Sequence, residues 1–195
     1  KYNRNKKDLE NLPKIIENFP TFPLDELSMP GWEIIFKNYT PRMKFIGSGP
    51  AITINSSRGC PYSCSFCNIP SIASYRTRSP ESVVEEFKFI KKYLPFVNEI
   101  FIEDDTFPIN KKRTIELCNA LVEADTGLVW SCNTRVNTDW EVMKAMKEAG
   151  CRLMCVGFES PTQNALEGVI KKTNKERQLA FMDDARNADL LVNGC

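Results

Sequence analysis

The chain contains no histidine. Within these residues, that absence excludes a Ser–His or Cys–His nucleophile pair, a histidine general base and any zinc site that uses imidazole. An excess of charge is lacking too: 26 Lys and Arg stand against 25 Asp and Glu, for a formal charge of +1. Such a balance argues against a nucleic-acid-binding surface spread over the whole molecule, although a local basic patch is compatible with it. No apolar run approaches the ~18 residues of a membrane span. The first residues, KYNRNKKDLENLPK, have no apolar stretch behind their charges, so they do not read as a signal peptide.

What is present is globular in character. Across 195 residues, 42% are hydrophobic and 26% charged, which fits one soluble domain with a tail or arm. Eight cysteines are irregularly placed in a chain too long to need disulfide staples. A reduced, cytoplasmic protein with a thiolate metal site is the expectation.

Six of the twelve prolines fall in the first 50 residues. Segments such as NFPTFPLDELSMPGW cannot form a long helix or a central strand. Residues 1–43 therefore read as an extended lead-in arm with one short helix, and residues 44–195 as the core domain. In that core, AITINSS reads as a first strand. A helix follows, with Ser79 as N-cap, Pro80 at the first helical position, and Val83, Phe87, Ile90 and Leu94 at helical spacing. NEIFIEDD is a second strand, and Lys111 to Asp125 a second helix. GLVWSCNTR is a third strand, and Thr138 with Glu141 forms a capping box for a third helix that stops at Gly150. RLMCVGFES is a fourth strand. Another helical region follows, with Asn174 capping its second part, and LLVNGC begins a fifth strand.

Strands alternating with helices imply a parallel α/β sheet with right-handed crossovers. An open doubly wound sheet and a barrel-like sheet both fit. In either, chemistry gathers at the C-terminal ends of the strands. Those ends are polar here: Ser56–Arg58, Glu103–Asp105, Ser131, Asn133 and Arg135, then Gly157, Glu159 and Ser160. Together they suggest one shared pocket.

The stretch SRGCPYSCSFCNIP carries Cys60, Cys64 and Cys67 as C-x3-C-x2-C in a loop. Three thiolates can hold three irons of a cubane while the fourth iron stays open. A zinc site completed from elsewhere, and purely structural or redox thiols, remain alternatives on spacing alone. Cys118 and Cys132 read as packed core thiols. Cys151 and Cys155 repeat a C-x3-C spacing but are expected at the opposite end of the strand from the cysteine loop. Lys171 and Lys172 read as solvated surface, and the acidic triplet lacks the phosphate loop that would favour a Mg²⁺ role.

The segment RGCPYSCSFC resembles the signature of the radical S-adenosylmethionine (radical SAM) superfamily. RTRSPESVVEEF, EIFIEDDTFPINKKR, WSCNTRVN and GFESPTQNAL are similar to consecutive segments of its cobalamin-associated subgroup. The resemblance implies a partial (β/α) TIM-like barrel, here truncated at about strand five. It implies a [4Fe–4S] cluster on Cys60, Cys64 and Cys67, with SAM on the fourth iron. Reductive cleavage of SAM to a 5′-deoxyadenosyl radical would follow. The resemblance assigns SAM contacts to Phe66 beside adenine, Asp104 or Asp105 at the ammonium, Arg135 at the carboxylate and Glu159 at the ribose. It implies a one-electron donor such as flavodoxin or ferredoxin, and a cobalamin held by a domain outside this chain. A cobalamin-dependent methyltransferase or related enzyme is the leading expectation. A methylthiotransferase-like radical SAM enzyme and a non-catalytic iron–sulfur or zinc module are the alternatives. No motif specifies the substrate.

Overall fold

The computed structural model describes residues 22–32, 34, 49–69 and 74–195. Most of the expected lead-in arm therefore lies outside the described residues. Its described part contains one short 3-10 helix, Leu24–Glu26. The Asp25 carboxylate accepts from Ser79 N at 3.0 Å, and Trp32 Nε1 donates to Glu86 Oε1 at 3.0 Å. This segment is thus tied to the helix that Ser79 caps.

The core runs β1 (Ala51–Ile54), β2 (Ser57–Arg58), β3 (Arg76–Thr77), α1 (Pro80–Tyr93), β4 (Glu99–Ile102) and α2 (Lys111–Ala124). It continues with β5 (Val129–Arg135), α3 (Trp140–Glu148), β6 (Cys151–Gly157), α4 (Gln163–Gly168), α5 (Lys175–Asn187) and β7 (Leu191–Gly194). β1, β4, β5, β6 and β7 form one parallel sheet in that spatial order. β2 and β3 make a small antiparallel pair beside it.

The strand order settles the choice that the sequence left open. A doubly wound sheet reverses its order at a switch point and carries helices on both faces. Here the order follows the chain without reversal, which is the winding of a barrel wall. Ile52, Ile54, Ile100, Ile102, Trp130, Cys132, Met154 and Val156 pack in one core with residues of α1, α2, α3 and α5. Alternation along the strands sends Phe101, Ser131, Asn133 and Cys155 to the opposite face.

Local signals hold at several helix ends. Ser79 Oγ accepts from Ser82 N at 3.2 Å, and Pro80 opens α1. Asn174 Oδ1 accepts from Arg177 N at 2.8 Å at the start of α5. The capping box at Thr138 is corrected. Asp139 is the N-cap of α3 and makes no side-chain cap bond. The Thr138 hydroxyl donates instead to Arg135 O at 2.8 Å, and Glu141 pairs with Lys111.

β6 carries a bulge. Trp130 pairs with Cys151, but the next residue, Ser131, pairs with Leu153. Arg152 is the extra residue, and its guanidinium reaches both oxygens of the fully buried Glu99 at 2.9 Å. Ser131 Oγ also donates to Glu99. In a regular strand Cys151 and Cys155, four apart, would share a face. The bulge separates them: Cys151 packs in the helix-facing core, and Cys155 opens to the other side.

Candidate active site

The cysteine loop is pegged by the residues that end β4. Asp104 is fully buried, and its carboxylate accepts four hydrogen bonds from Ser56 and Ser57, two from backbone N–H groups and two from hydroxyls. Burial raises its pKa above the ordinary carboxylate value, and the four donors counter only part of that effect. Asp105 Oδ2 accepts from Gly59 N at 3.0 Å, where Gly59 adopts φ +81°. Cys60 Sγ lies 3.8 Å from Thr106 Oγ1. The β2–β3 pair is anchored from behind by buried Arg113 of α2, which donates to Ser56 O and Arg78 O.

The far side of the loop is held by Arg135 and the segment after α4. Arg135 Nη1 donates to Cys64 Sγ at 3.3 Å, and Nη2 donates to Lys171 O at 2.5 Å. Its guanidinium lies 4.0 Å from the centre of the Tyr62 ring. Ser65 N donates to Val169 O at 3.1 Å, and Ser65 Oγ to Gly168 O.

Cys60, Cys64 and Cys67 line one cavity of about 260 Å³ at the C-terminal ends of the strands. Phe66, Asp105, Arg135 and Glu159 line it as well, so the structure brings together every proposed contact but one. Asp104 does not line the cavity, because its carboxylate is engaged with Ser56 and Ser57. Of the two carboxylates expected as alternatives for a cofactor contact, Asp105 is the one that lines the cavity.

Asn133 and Gly157, from the polar strand ends, line it too, and Tyr62, Thr106, Cys155 and Lys171 do so without having been singled out for it. Cys155 is therefore near the cysteine loop, not at the opposite end of its strand. Burial raises the pKa of its thiol, while Asn193 Nδ2, 3.7 Å away, opposes that shift. The period-two spacing of Cys155 and Gly157 could have revealed the shared face, but the bulge upstream hides the phase. Lys171 is corrected from surface to buried, at 4% exposure, and forms an ion pair with Glu159.

The donor set suits an anionic thiolate-bound cluster. A cationic guanidinium touches one candidate ligand thiol, and its Nε is buried without a hydrogen-bond partner among the described residues. No three His, Cys, Asp or Glu among the described residues converge on a single-ion site. A cubane makes a different demand, since each thiolate binds a separate iron.

An α/β barrel wall with a three-cysteine loop over its strand ends defines a class, and comparison with known proteins agrees. The radical SAM superfamily matches residues 54–194, and the chain belongs to that superfamily. An uncharacterised methyltransferase of Pyrococcus horikoshii is 32% identical over 92% of this chain and 39% of its own length. The anaerobic magnesium-protoporphyrin IX monomethyl ester cyclase of Rubrivivax gelatinosus is 32% identical over 81% of this chain and 28% of its own. The chain thus spans well under half of these relatives. Among solved structures, the radical SAM methyltransferase TsrM from Kitasatospora setae, with cobalamin and a [4Fe–4S] cluster bound, aligns at TM-score 0.67 and 21% identity. That alignment covers 75% of this chain and 30% of TsrM.

Proposed function

We propose that this chain is the SAM-cleaving portion of a cobalamin-dependent methyltransferase or a closely related enzyme. One observation carries the reading: Cys60, Cys64 and Cys67 open with Arg135, Asp105 and Glu159 into a single cavity at the strand ends. The three thiolates would hold a [4Fe–4S] cluster. When bound and reduced, such a cluster would supply one electron to cleave the C5′–S bond of SAM, releasing methionine and a 5′-deoxyadenosyl radical.

The chain's own residues orient and shield. Arg135 places a positive charge and an N–H donor at Cys64, which offsets thiolate charge and favours the reduced state. Asp105, in the cavity wall, would accept from the SAM ammonium. Glu159, which lines the same cavity, would meet the ribose hydroxyls, and Phe66, 58% exposed, would offer a face for adenine. The cobalamin bound in TsrM supports a cobalamin-bearing region outside this chain, and a small electron-transfer protein such as flavodoxin or ferredoxin fits the need for single electrons.

Anaerobic reconstitution of the full protein tests the reading. About four irons per chain and a broad visible charge-transfer band are expected. Dithionite with SAM should then release 5′-deoxyadenosine. Zinc uptake with no iron would overturn the assignment.

A further inference from the structure

We propose that Asn55, Glu103, Asn133 and Asn193 form the floor on which the enzyme's substrate rests, and that the substrate presents a protonated amine to Glu103. This rests on the radical SAM reading of the adjoining cavity and names the class of molecule that the radical meets.

The floor is one cross-strand layer. Asn133 pairs in register with Cys155, and Cys155 with Asn193. Ile54, Ile102 and Cys132 are in register as well, so the next residues, Asn55, Glu103 and Asn133, continue the row. Glu103 N donates to Ile54 O at 2.8 Å, which carries the β1–β4 ladder up to this level. Alternation turns these side chains away from the helix-facing core that holds Ile54, Ile102 and Cys132.

The layer beneath is closed. Phe101, Ser131 and Leu153 are in register there, and Phe101 and Leu153 are buried. One level up, Asn55 and Glu103 are exposed, while Asn133, Cys155 and Asn193 are half-buried. The row is thus the deepest layer open to a ligand. Asn133 and Cys155 also line the cavity of the cysteine loop, whereas Glu103 and Asn193 lie outside it. The floor begins where the cofactor cavity ends.

Hydrogen-bond direction gives the floor its chemistry. Asn55 Nδ2 donates to Glu103 O at 2.9 Å, Asn133 Nδ2 to Asp104 O at 3.1 Å, and Asn193 Nδ2 to Cys155 Sγ at 3.7 Å. Each amide spends an N–H on the protein, and the backbone carbonyls fix which way the first two amides turn. Among the described residues, no donor meets their three side-chain oxygens or the Glu103 carboxylate. Lys171, the ammonium of the neighbouring cavity, pairs with Glu159 instead. The row therefore offers a ligand several acceptors and one unpaired negative charge. A protonated amine satisfies both, and an anion would be repelled.

Benzylamine, benzyl alcohol and benzoate provide the test, because they share a shape and differ in charge. Binding is measured anaerobically by titration calorimetry on the reconstituted full protein, with and without SAM, beside iron content. Benzylamine should bind more tightly than the other two, and should bind together with SAM. Glu103→Gln should weaken benzylamine roughly 10- to 100-fold, the range of one hydrogen bond to a charged group. Glu103→Asp should recover part of that loss. Asn193→Leu, which removes one amide oxygen, should weaken benzylamine about threefold to tenfold. Both Glu103→Gln and Asn193→Leu should keep their iron and bind SAM as the wild type does. Equal binding of the three probes, no binding of benzylamine, or unchanged affinity in Glu103→Gln overturns the assignment. Displacement of benzylamine by SAM overturns it too, since Glu103 would then serve the cofactor's own ammonium. A wild type that takes up no iron, or releases no 5′-deoxyadenosine with SAM and dithionite, instead removes the proposed function on which the assignment rests.

Discussion

Ser57 holds Asp104 twice, through its backbone N–H at 2.9 Å and its hydroxyl at 2.7 Å. With the matching pair from Ser56, this fastens the entrance of the cysteine loop to the end of β4. An acid that resembled a cofactor contact is a structural peg, and the loop's position depends on it.

Replacing that peg has a predicted cost. Asp104→Ala strands two backbone N–H groups and should lower stability by about 3 kcal/mol, read from urea unfolding. Asp104→Asn should cost less, since its oxygen can accept from the backbone and its amide can face the two hydroxyls. The pH dependence separates the two further. Asp104 has a raised pKa in the fold, so between the ordinary carboxylate value and the raised one the folded state binds more proton than the unfolded state. Its contribution is therefore full below about pH 4 and declines as pH rises through the raised value. The stability difference between wild type and Asp104→Asn should shrink over that window and then level off.

Cysteine substitutions should divide cleanly. Cys60→Ala, Cys64→Ala and Cys67→Ala should each abolish stable iron uptake, whereas Cys118→Ala, Cys132→Ala and Cys155→Ser should retain it. Thiol alkylation of the iron-free protein gives an independent check. Cys67 and Cys195 are exposed and should react first. Cys118 and Cys132 are buried, and burial pushes both thiols well above their ordinary pKa. They should stay unmodified until the protein unfolds.

Gly157→Ala should leave the fold nearly intact, because the added methyl meets the ends of flexible side chains and no backbone. A stability change under about 1 kcal/mol is expected. The displaced Lys171–Glu159 pair should nevertheless weaken SAM binding, measured by equilibrium dialysis beside the urea midpoint.

Glu99 and Arg152 form the ion pair on the inner face of the sheet. Glu99 is fully buried, while the Arg152 side chain keeps 23% exposure. Arg152→Met removes the guanidinium that meets both oxygens of a buried carboxylate and should cost about 3 kcal/mol. Glu99→Gln with Arg152→Met removes both charges and should recover part of that loss. Chemical denaturation of the single and double variants measures the coupling.

Much of the fold was legible because its signals are local. Ser79 with Pro80, and Asn174, mark helix starts through bonds made within one turn, and the structure contains those bonds. Thr138 misled because its hydroxyl had a competing acceptor, Arg135 O, supplied by the preceding turn. Cys151 does open β6, but Cys155 lies near the C-terminal end of that strand, and the extra residue in β6 turns it to the cavity face. Lys171 gave no signal: an amphiphilic side chain in a polar stretch reads as surface until a neighbouring segment covers it.

The sequence by itself determined the class of chemistry. A histidine-free chain, three loop cysteines and strands ending in polar residues left an open thiolate site as the leading reading, and each of these features is read from composition or from a short local stretch. Tertiary structure decided which groups serve the cavity. Asp104 and Asp105 are adjacent in sequence, yet one is enclosed by Ser56 and Ser57 and the other lines the wall. Arg135 and Lys171, 36 residues apart, meet there only because β5 and the strap after α4 converge on the cysteine loop. Such long-range pairings depend on sheet register, strand winding and one bulge, and none of these is encoded by a short motif.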